Sequence, residues 1–249
     1  MPNDKIEIRY PWGDSLVLRH PGHPDQSVHG RRKGATKVAA GKSGKGKVQT
    51  SKTGKSAEQK AAEILSKAKE KDETVTPFVN ELAKKMGGKM EGLDYRIKGE
   101  GSLIRKIKSD AKDMGVSEAE AADMVTDSLR FTMTFDKSNM TANVHKVFDE
   151  LGTQGWKPYD DKVKNYYKPG DAYDGLNTVI EHADGTRVEM QFHTPESLAI
   201  KHKAHKLYEK ARVLPPTDPE RVKLNNQMIE MWEDYDRPND WENLPGRIV

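Results

Sequence analysis

The run Leu176-Asn177-Thr178-Val179-Ile180-Glu181-His182-Ala183-Asp184-Gly185-Thr186-Arg187-Val188-Glu189-Met190-Gln191-Phe192-His193 decides the fold. Leu176 to Glu181 and Arg187 to His193 flank Ala183-Asp184-Gly185-Thr186, whose Asp-Gly is a hairpin signature. In the second arm the side chains alternate. Val188, Met190 and Phe192 must point to a core, and Arg187, Glu189, Gln191 and His193 to the opposite face. Taken alone, such a polar row is compatible with a plain solvated surface.

Upstream, Leu129 to Phe135 alternates in the same way and predicts a strand. Asn139 to Leu151 predicts a helix with Val144, Val147 and Phe148 inward, and Trp156 to Tyr167 a further strand. Ala57 to Lys71 reads as an amphipathic helix. Thr76-Pro77 reads as the N-cap and first-turn proline of a second helix, which Gly87-Gly88 stops. A third helix is expected from Ser102 to Met114, and a capping-box pattern at Ser117 to Glu120 opens a fourth. Pro195 to Arg212 and Asp218 to Tyr235 complete the set. Helices, a strand, a helix, three strands and helices again imply an α+β class, a mixed sheet of about four to five strands flanked by helices.

The chain of 249 residues is 33% charged, with a mean hydropathy of −0.89 and no cysteine. Disulfides and thiolate metal sites are therefore excluded. No stretch approaches the ~20 apolar residues of a membrane span. Met1 to Tyr10 contains four charged residues and no apolar block, so no secretory leader is expected there, and a cytoplasmic setting is. Residues 1–60 hold 13 Lys and Arg against 5 Asp and Glu, a net of +8. The remainder holds 29 against 34, a net of −5. Between Asp25 and Glu58 there is no acid. The expected organisation is a flexible basic arm over 1–56, suited to polyanion contact, a folded domain over 57–235 and a tail over 236–249. Two glycine-lysine runs in the arm imitate a phosphate loop. Gly41 to Lys47 is followed by Val48 where Ser or Thr is needed, Gln49 stands where a first Gly is needed before Gly54-Lys55-Ser56, and neither follows an apolar strand.

The folded part is rich in cations: Arg96, Lys98, Arg105, Lys106, Lys108, Arg130, Lys162 and Lys164. Asp171 to Gly175 forms a turn around Tyr173. Cations neutralise polyphosphate, carboxylates hold a divalent metal, and a tyrosine face stacks on a base. In order along the chain, these pieces resemble the synthetase domain of the RelA/SpoT-type alarmone synthetases. Arg96, Lys98, Ser102 and Lys106 match that family's R-x-K-x-x-x-S-x-x-x-K signature. Asp127 before Arg130 is similar to its metal-binding Asp before a strand Arg. Val163-Lys164-Asn165-Tyr166 resembles its V-K-D-Y, Ala172 to Thr178 its G-Y-x-S-L-H-T turn, and Val188 to Gln191 its V-E-I-Q strand. His205 and Tyr208 resemble the His and Tyr of its next helix. The resemblance spans about Asp94 to Arg212. It departs at Ala172 for Gly, Gly175 for Ser, Asn177 for His and His193 for Arg. In this it is similar to divergent relatives, secreted nucleotide pyrophosphokinases and toxic small synthetases acting on adenine nucleotides or the tRNA 3′ end. His20 to Gly30 also resembles N-terminal pieces of bacteriophage virion proteins, which implies a phage-encoded origin.

The resemblance implies transfer of pyrophosphate from ATP to a 3′-hydroxyl of an adenine or guanine nucleotide or of tRNA. It implies Mg²⁺ on Asp127 and Glu189, with Glu189 also the proton acceptor and Arg130 beside them. ATP phosphates are expected on Arg96, Lys98, Ser102 and Lys106. The acceptor is expected on Lys164, Tyr173, Asn177, Gln191, His193 and His205, with its base stacked on Tyr173. Three rival readings stand beside it. Zinc on His193, His202 and His205 is opposed by the neighbouring Lys201, Lys203 and Lys206. An ADP-ribosyltransferase is opposed by the order of Glu189 and Gln191. A non-enzymatic nucleic-acid-binding or virion protein would use the basic arm.

Overall fold

A computed structural model describes residues 5–9, 15–19, 54–159 and 161–249. Lys5–Arg9 (β1) and Ser15–Arg19 (β2) form an antiparallel backbone pair, with Ile6 opposite Leu18. The acid-free stretch read as a basic arm lies almost wholly outside the described residues.

The remaining strands build one sheet: Lys89–Glu91 (β3), Arg130–Thr134 (β4), Trp156–Pro158 (β5), Lys164–Asn165 (β6), Leu176–His182 (β7), Arg187–His193 (β8) and Arg247–Ile248 (β9). Their order is β3-β4-β8-β7-β6-β9, with β5 also pairing with β7. β4 runs parallel to β8 and β6 parallel to β9, while the other pairs are antiparallel, so the sheet is mixed. The hairpin and its Asp-Gly turn are as the alternation predicts. Among the described residues this sheet has seven strands where four to five were expected, because four are only two or three residues long. Trp156 to Tyr167 is also not one strand. It is two short ones, both pairing with β7.

One sheet face is core. Phe131, Met133, Val188, Met190 and Phe192 are each at most 2% exposed. They pack against Ala57–Lys85 (α1) and Met140–Thr153 (α4). α1 runs through Pro77 as one helix of 29 residues, not as the two that Thr76-Pro77 suggests. An interior proline costs about 3 kcal/mol. The helix persists because one apolar stripe, Ala57, Ala61, Ala68, Val75, Val79 and Leu82, stays buried on both sides of the proline. The Thr76 hydroxyl spans the junction by donating to Asp72 Oδ1 at 2.6 Å.

Glu100–Met114 (α2) and Glu118–Asp123 (α3) pack on the first half of α1 through Leu103, Ile107 and Ala121. Pro195–Ala211 (α5) and Pro219–Glu233 (α6) pack on each other through Ala204, Tyr208, Leu224 and Met228. Residues 236–249, read from sequence as a tail, return to the sheet. β9 pairs with β6, Leu244 is buried, and Arg237 meets buried Asp174 at 2.7 Å. No helix among the described residues is long and apolar enough to cross a membrane.

Candidate functional site

Residues paired in a parallel register share a face. Arg130 stands beside Glu189, Thr132 beside Gln191 and Thr134 beside His193, so β4 and β8 together make one polar sheet face. This face is the floor of a cleft of about 720 Å³. Two helices wall it with stripes at helical spacing. From α2 come Ser102, Arg105, Lys106, Ser109, Asp110 and Asp113, and from α5 come Leu198, Lys201, His202, His205, Tyr208, Glu209 and Arg212 just beyond its end. Lys98 and Asp127 close the end near β4.

Asp127 Oδ2 accepts from Lys98 Nζ at 2.7 Å, while Oδ1 is buried without a partner. Burial alone would raise its pKa, but Lys98 and then Lys106 outweigh that and hold it below the usual carboxylate range. Burial opposes charge on Lys106 as well, yet Asp127 and Asp110 raise its pKa. Glu189 moves the other way. Burial first and the Asp127 charge second raise its pKa, against the Gln191 hydrogen bond and the cations Arg130 and Lys201. Arg130 donates to the Tyr95 carbonyl at 3.1 Å, and its Nε is buried without a partner. The cleft thus holds two carboxylates that repel one another and an uncommitted Asp127 oxygen within a ring of cations. Two carboxylates with an open oxygen fit a magnesium ion, which takes one or two protein carboxylates and completes its octahedron with water and substrate phosphate. No group of three or more His, Asp or Glu suited to a metal occurs among the described residues, which leaves His202 and His205 without the partners zinc needs.

Seven of the expected residues meet in the cleft together with Asp127 and Tyr173: Lys98, Ser102, Lys106, Arg130, Glu189, Gln191 and His205. Four do not line it. Arg96 is clamped elsewhere, its Nε and Nη2 donating to Asp72 on α1 at 2.6 and 2.7 Å and its Nη1 to the Leu93 carbonyl. Lys164 sits on β6 opposite Asn177. Asn177 and His193 are buried beneath the cleft.

Tyr173 is not an open stacking face. It is 2% exposed, its ring edge-on to Tyr166, His193 and Trp232. Its hydroxyl donates to Asn177 Oδ1 at 2.8 Å and lies 3.1 Å from His193 Nε2. The turn is fixed from behind, where Trp232 Nε1 donates to the Ala172 carbonyl at 2.8 Å. The exposed tyrosine of the cleft is instead Tyr95, 77% exposed at its rim.

Three departures from the resembled pattern, Gly175, Asn177 and His193, all touch Tyr173. A Cβ on Gly175 would lie 2.6 Å from both His193 Cε1 and the Tyr173 hydroxyl, so the glycine, the histidine and the tuck of the tyrosine require one another. Burial, followed by Lys201 and His202, pushes the His193 pKa well below its usual value, so the ring is neutral.

Lys201 was absent from the expected site residues. It reaches Gln191 Oε1 and lies 3.4 Å from His193 Nε2, and burial lowers its pKa to about 8 despite nearby Glu189. The signal was present in the sequence, since residues 198, 201, 202, 205, 208, 209 and 212 form one helical stripe.

No family model and no curated protein matches the chain. It is similar in structure to the Type VI effector Tas1, solved in complex with its immunity protein, at 21% identity and a TM-score of 0.47, over 70% of this chain and 95% of that one. Small alarmone synthetase 1 from Bacillus subtilis, solved with its product pppGpp, aligns at 12% identity and 0.46, over 70% and 91%. Small alarmone synthetase 2 from the same organism aligns at 17% and 0.49, over 69% and 90%.

Proposed function

We propose that this protein transfers the pyrophosphate group of ATP to the 3′-hydroxyl of a nucleotide acceptor, an adenine or guanine nucleotide or the 3′ end of tRNA. The observation that carries the reading is the polar sheet face. There Glu189 stands in register with Arg130 and shares the cleft with Asp127 and its uncommitted oxygen, between two helices that supply Arg105, Lys106 and Lys201. Such a site suits a polyanion whose charge moves during reaction, because fixed cations in a partly water-excluded cleft stabilise that charge without reorganising.

In the step itself, the acceptor 3′-oxygen forms a bond to the β-phosphorus of ATP. The bond from that phosphorus to the α–β bridging oxygen breaks and AMP leaves, while the hydroxyl proton passes to the Glu189 carboxylate. Burial and the Asp127 charge raise the proton affinity of Glu189, which favours that transfer. Lys98 and Lys106 flank Asp127 and face the phosphates, and Arg130 faces the group in transit. Gln191 orients Glu189 by donating to its Oε1 at 2.8 Å. Asp127 and Glu189 would hold Mg²⁺, which when bound supplies neutralisation of the polyphosphate charge.

The deciding experiment incubates the protein with ATP labelled on the β-phosphate and a panel of GDP, GTP, ADP, ATP and tRNA. Label moving to an acceptor, with stoichiometric AMP, is the expected result. AMP without a labelled acceptor, or no consumption of ATP with any of them, would overturn the reading.

A further inference from the structure

Lys201 can only donate hydrogen bonds, and an ionised Glu189 can only accept them. Gln191 lies between the two, and its amide has one end of each kind. Its Oε1 faces the Lys201 ammonium, and its Nε2 donates to Glu189 Oε1 at 2.8 Å. That polarity admits one orientation of the amide. The same ammonium lies 3.4 Å from His193 Nε2, which must therefore be the accepting nitrogen. His193 Nδ1 then donates to Ser197 Oγ at 3.0 Å, and Ser197 Oγ donates to the Thr194 carbonyl at 3.2 Å. One cation on α5 sets the direction of every bond in a chain running from Glu189 at the cleft floor to the N-terminal turn of α5.

We propose that Lys201 is a positioning residue for the transfer reaction: it fixes the Gln191 amide so that Gln191 presents its N–H to Glu189, and so sets the orientation of the Glu189 carboxylate. This rests on the reaction proposed above. Without the ammonium, Gln191 Oε1 loses its donor, the amide gains a second orientation, and Glu189 loses its oriented partner. Small displacements of a reacting group cost about 10²-fold in rate. Substrate affinity, set chiefly by the other cations of the cleft, changes little.

The test uses Lys201→Ala in the full chain, with its thermal unfolding compared with that of the parent. Expected are a fall in kcat of ~10²-fold with the KM for ATP within about 3-fold. Ethylammonium should rescue saturably, while tetramethylammonium, with the same charge and no N–H donor, should not. An unchanged kcat, a loss confined to KM, or equal rescue by both ions would overturn the proposal. A second measurement reads the amide without turnover. In protein labelled with ¹⁵N-glutamine, the Gln191 side-chain NH₂ pair, assigned by its loss in Gln191→Glu, should lie apart from solvent-exposed amides and collapse toward them in Lys201→Ala. Amide signals that ignore the substitution sink the relay. If the parent transfers no label while the amide responds as described, the reaction fails and the relay stands.

Discussion

Arg96 separates two readings of the same residue, one from motif and one from packing. The resemblance puts it on ATP phosphate, whereas its guanidinium makes a two-pronged contact with Asp72 and holds the loop before Lys98 against α1. The two side chains are 30% and 13% exposed, so the pair is neither dry nor freely solvated. At an effective dielectric near 20, two charges ~4 Å apart attract by about 4 kcal/mol. Desolvation and the ~2 kcal/mol of rotamer entropy in an arginine side chain remove much of this. A net coupling of about 1–2 kcal/mol remains, within the range measured for contacting pairs. A double-mutant cycle with Asp72→Asn and Arg96→Met, unfolded in urea and followed by the fluorescence of buried Trp156 and Trp232, should return that coupling. Each single change should lower Tm by roughly 2–8 °C, at ~2–4 °C per kcal/mol for a chain of this size. In the folded Arg96→Met protein, the KM for ATP should stay within about 2-fold of the parent. A coupling near zero, or a KM raised about 10-fold or more at unchanged stability, would refute the packing argument and return Arg96 to the phosphates.

Other substitutions address the site and the unit that carries it. Glu189→Gln keeps size and removes the proton acceptor, so kcat should fall by ~10² or more with Tm little changed; near-normal turnover would show that another group takes the proton. Gly175→Ser forces an atom to within 2.6 Å of both Tyr173 and His193, and urea unfolding should record a loss of about 1–3 kcal/mol, where no loss would mean the turn yields freely. Lys201 carries its charge below its lowered pKa of about 8 and loses it above. Parent turnover should therefore decline as pH rises through 8, and a Lys201→Met pH profile should lack that decline; identical alkaline limbs would assign it to another group. A chain beginning at Gly54 keeps the Ser56 capping box and the buried residues of all three apolar clusters, and calorimetry should find its Tm within about 3 °C of the full chain unless residues 1–53 pack on the domain.

By itself the sequence determined what depends on local period and local chemistry. The alternation in Leu129 to Phe135 and Arg187 to His193 set which side chains face the core, because neighbours on a strand must point oppositely. The Asp-Gly turn set the hairpin, and the capping box at Ser117 set a helix start. Glu189, Gln191 and Arg130 were therefore legible as one candidate face. Tertiary structure decided what depends on residues distant in the chain. Pro77 was kept inside α1 by an apolar stripe buried on both sides of it, which no local propensity reports. Asp72 lies 24 positions before Arg96, so the motif could not show that this guanidinium was already engaged. Tyr173 looked like a displayed ring because small and polar residues flank it, yet Gly175, His193 and Trp232 close over it only once the hairpin and α6 come together. Lys201 meets its acceptors only where β8 runs beneath α5. Its functional meaning lies in what an ammonium must donate to, and that is fixed only when the acceptors are placed around it.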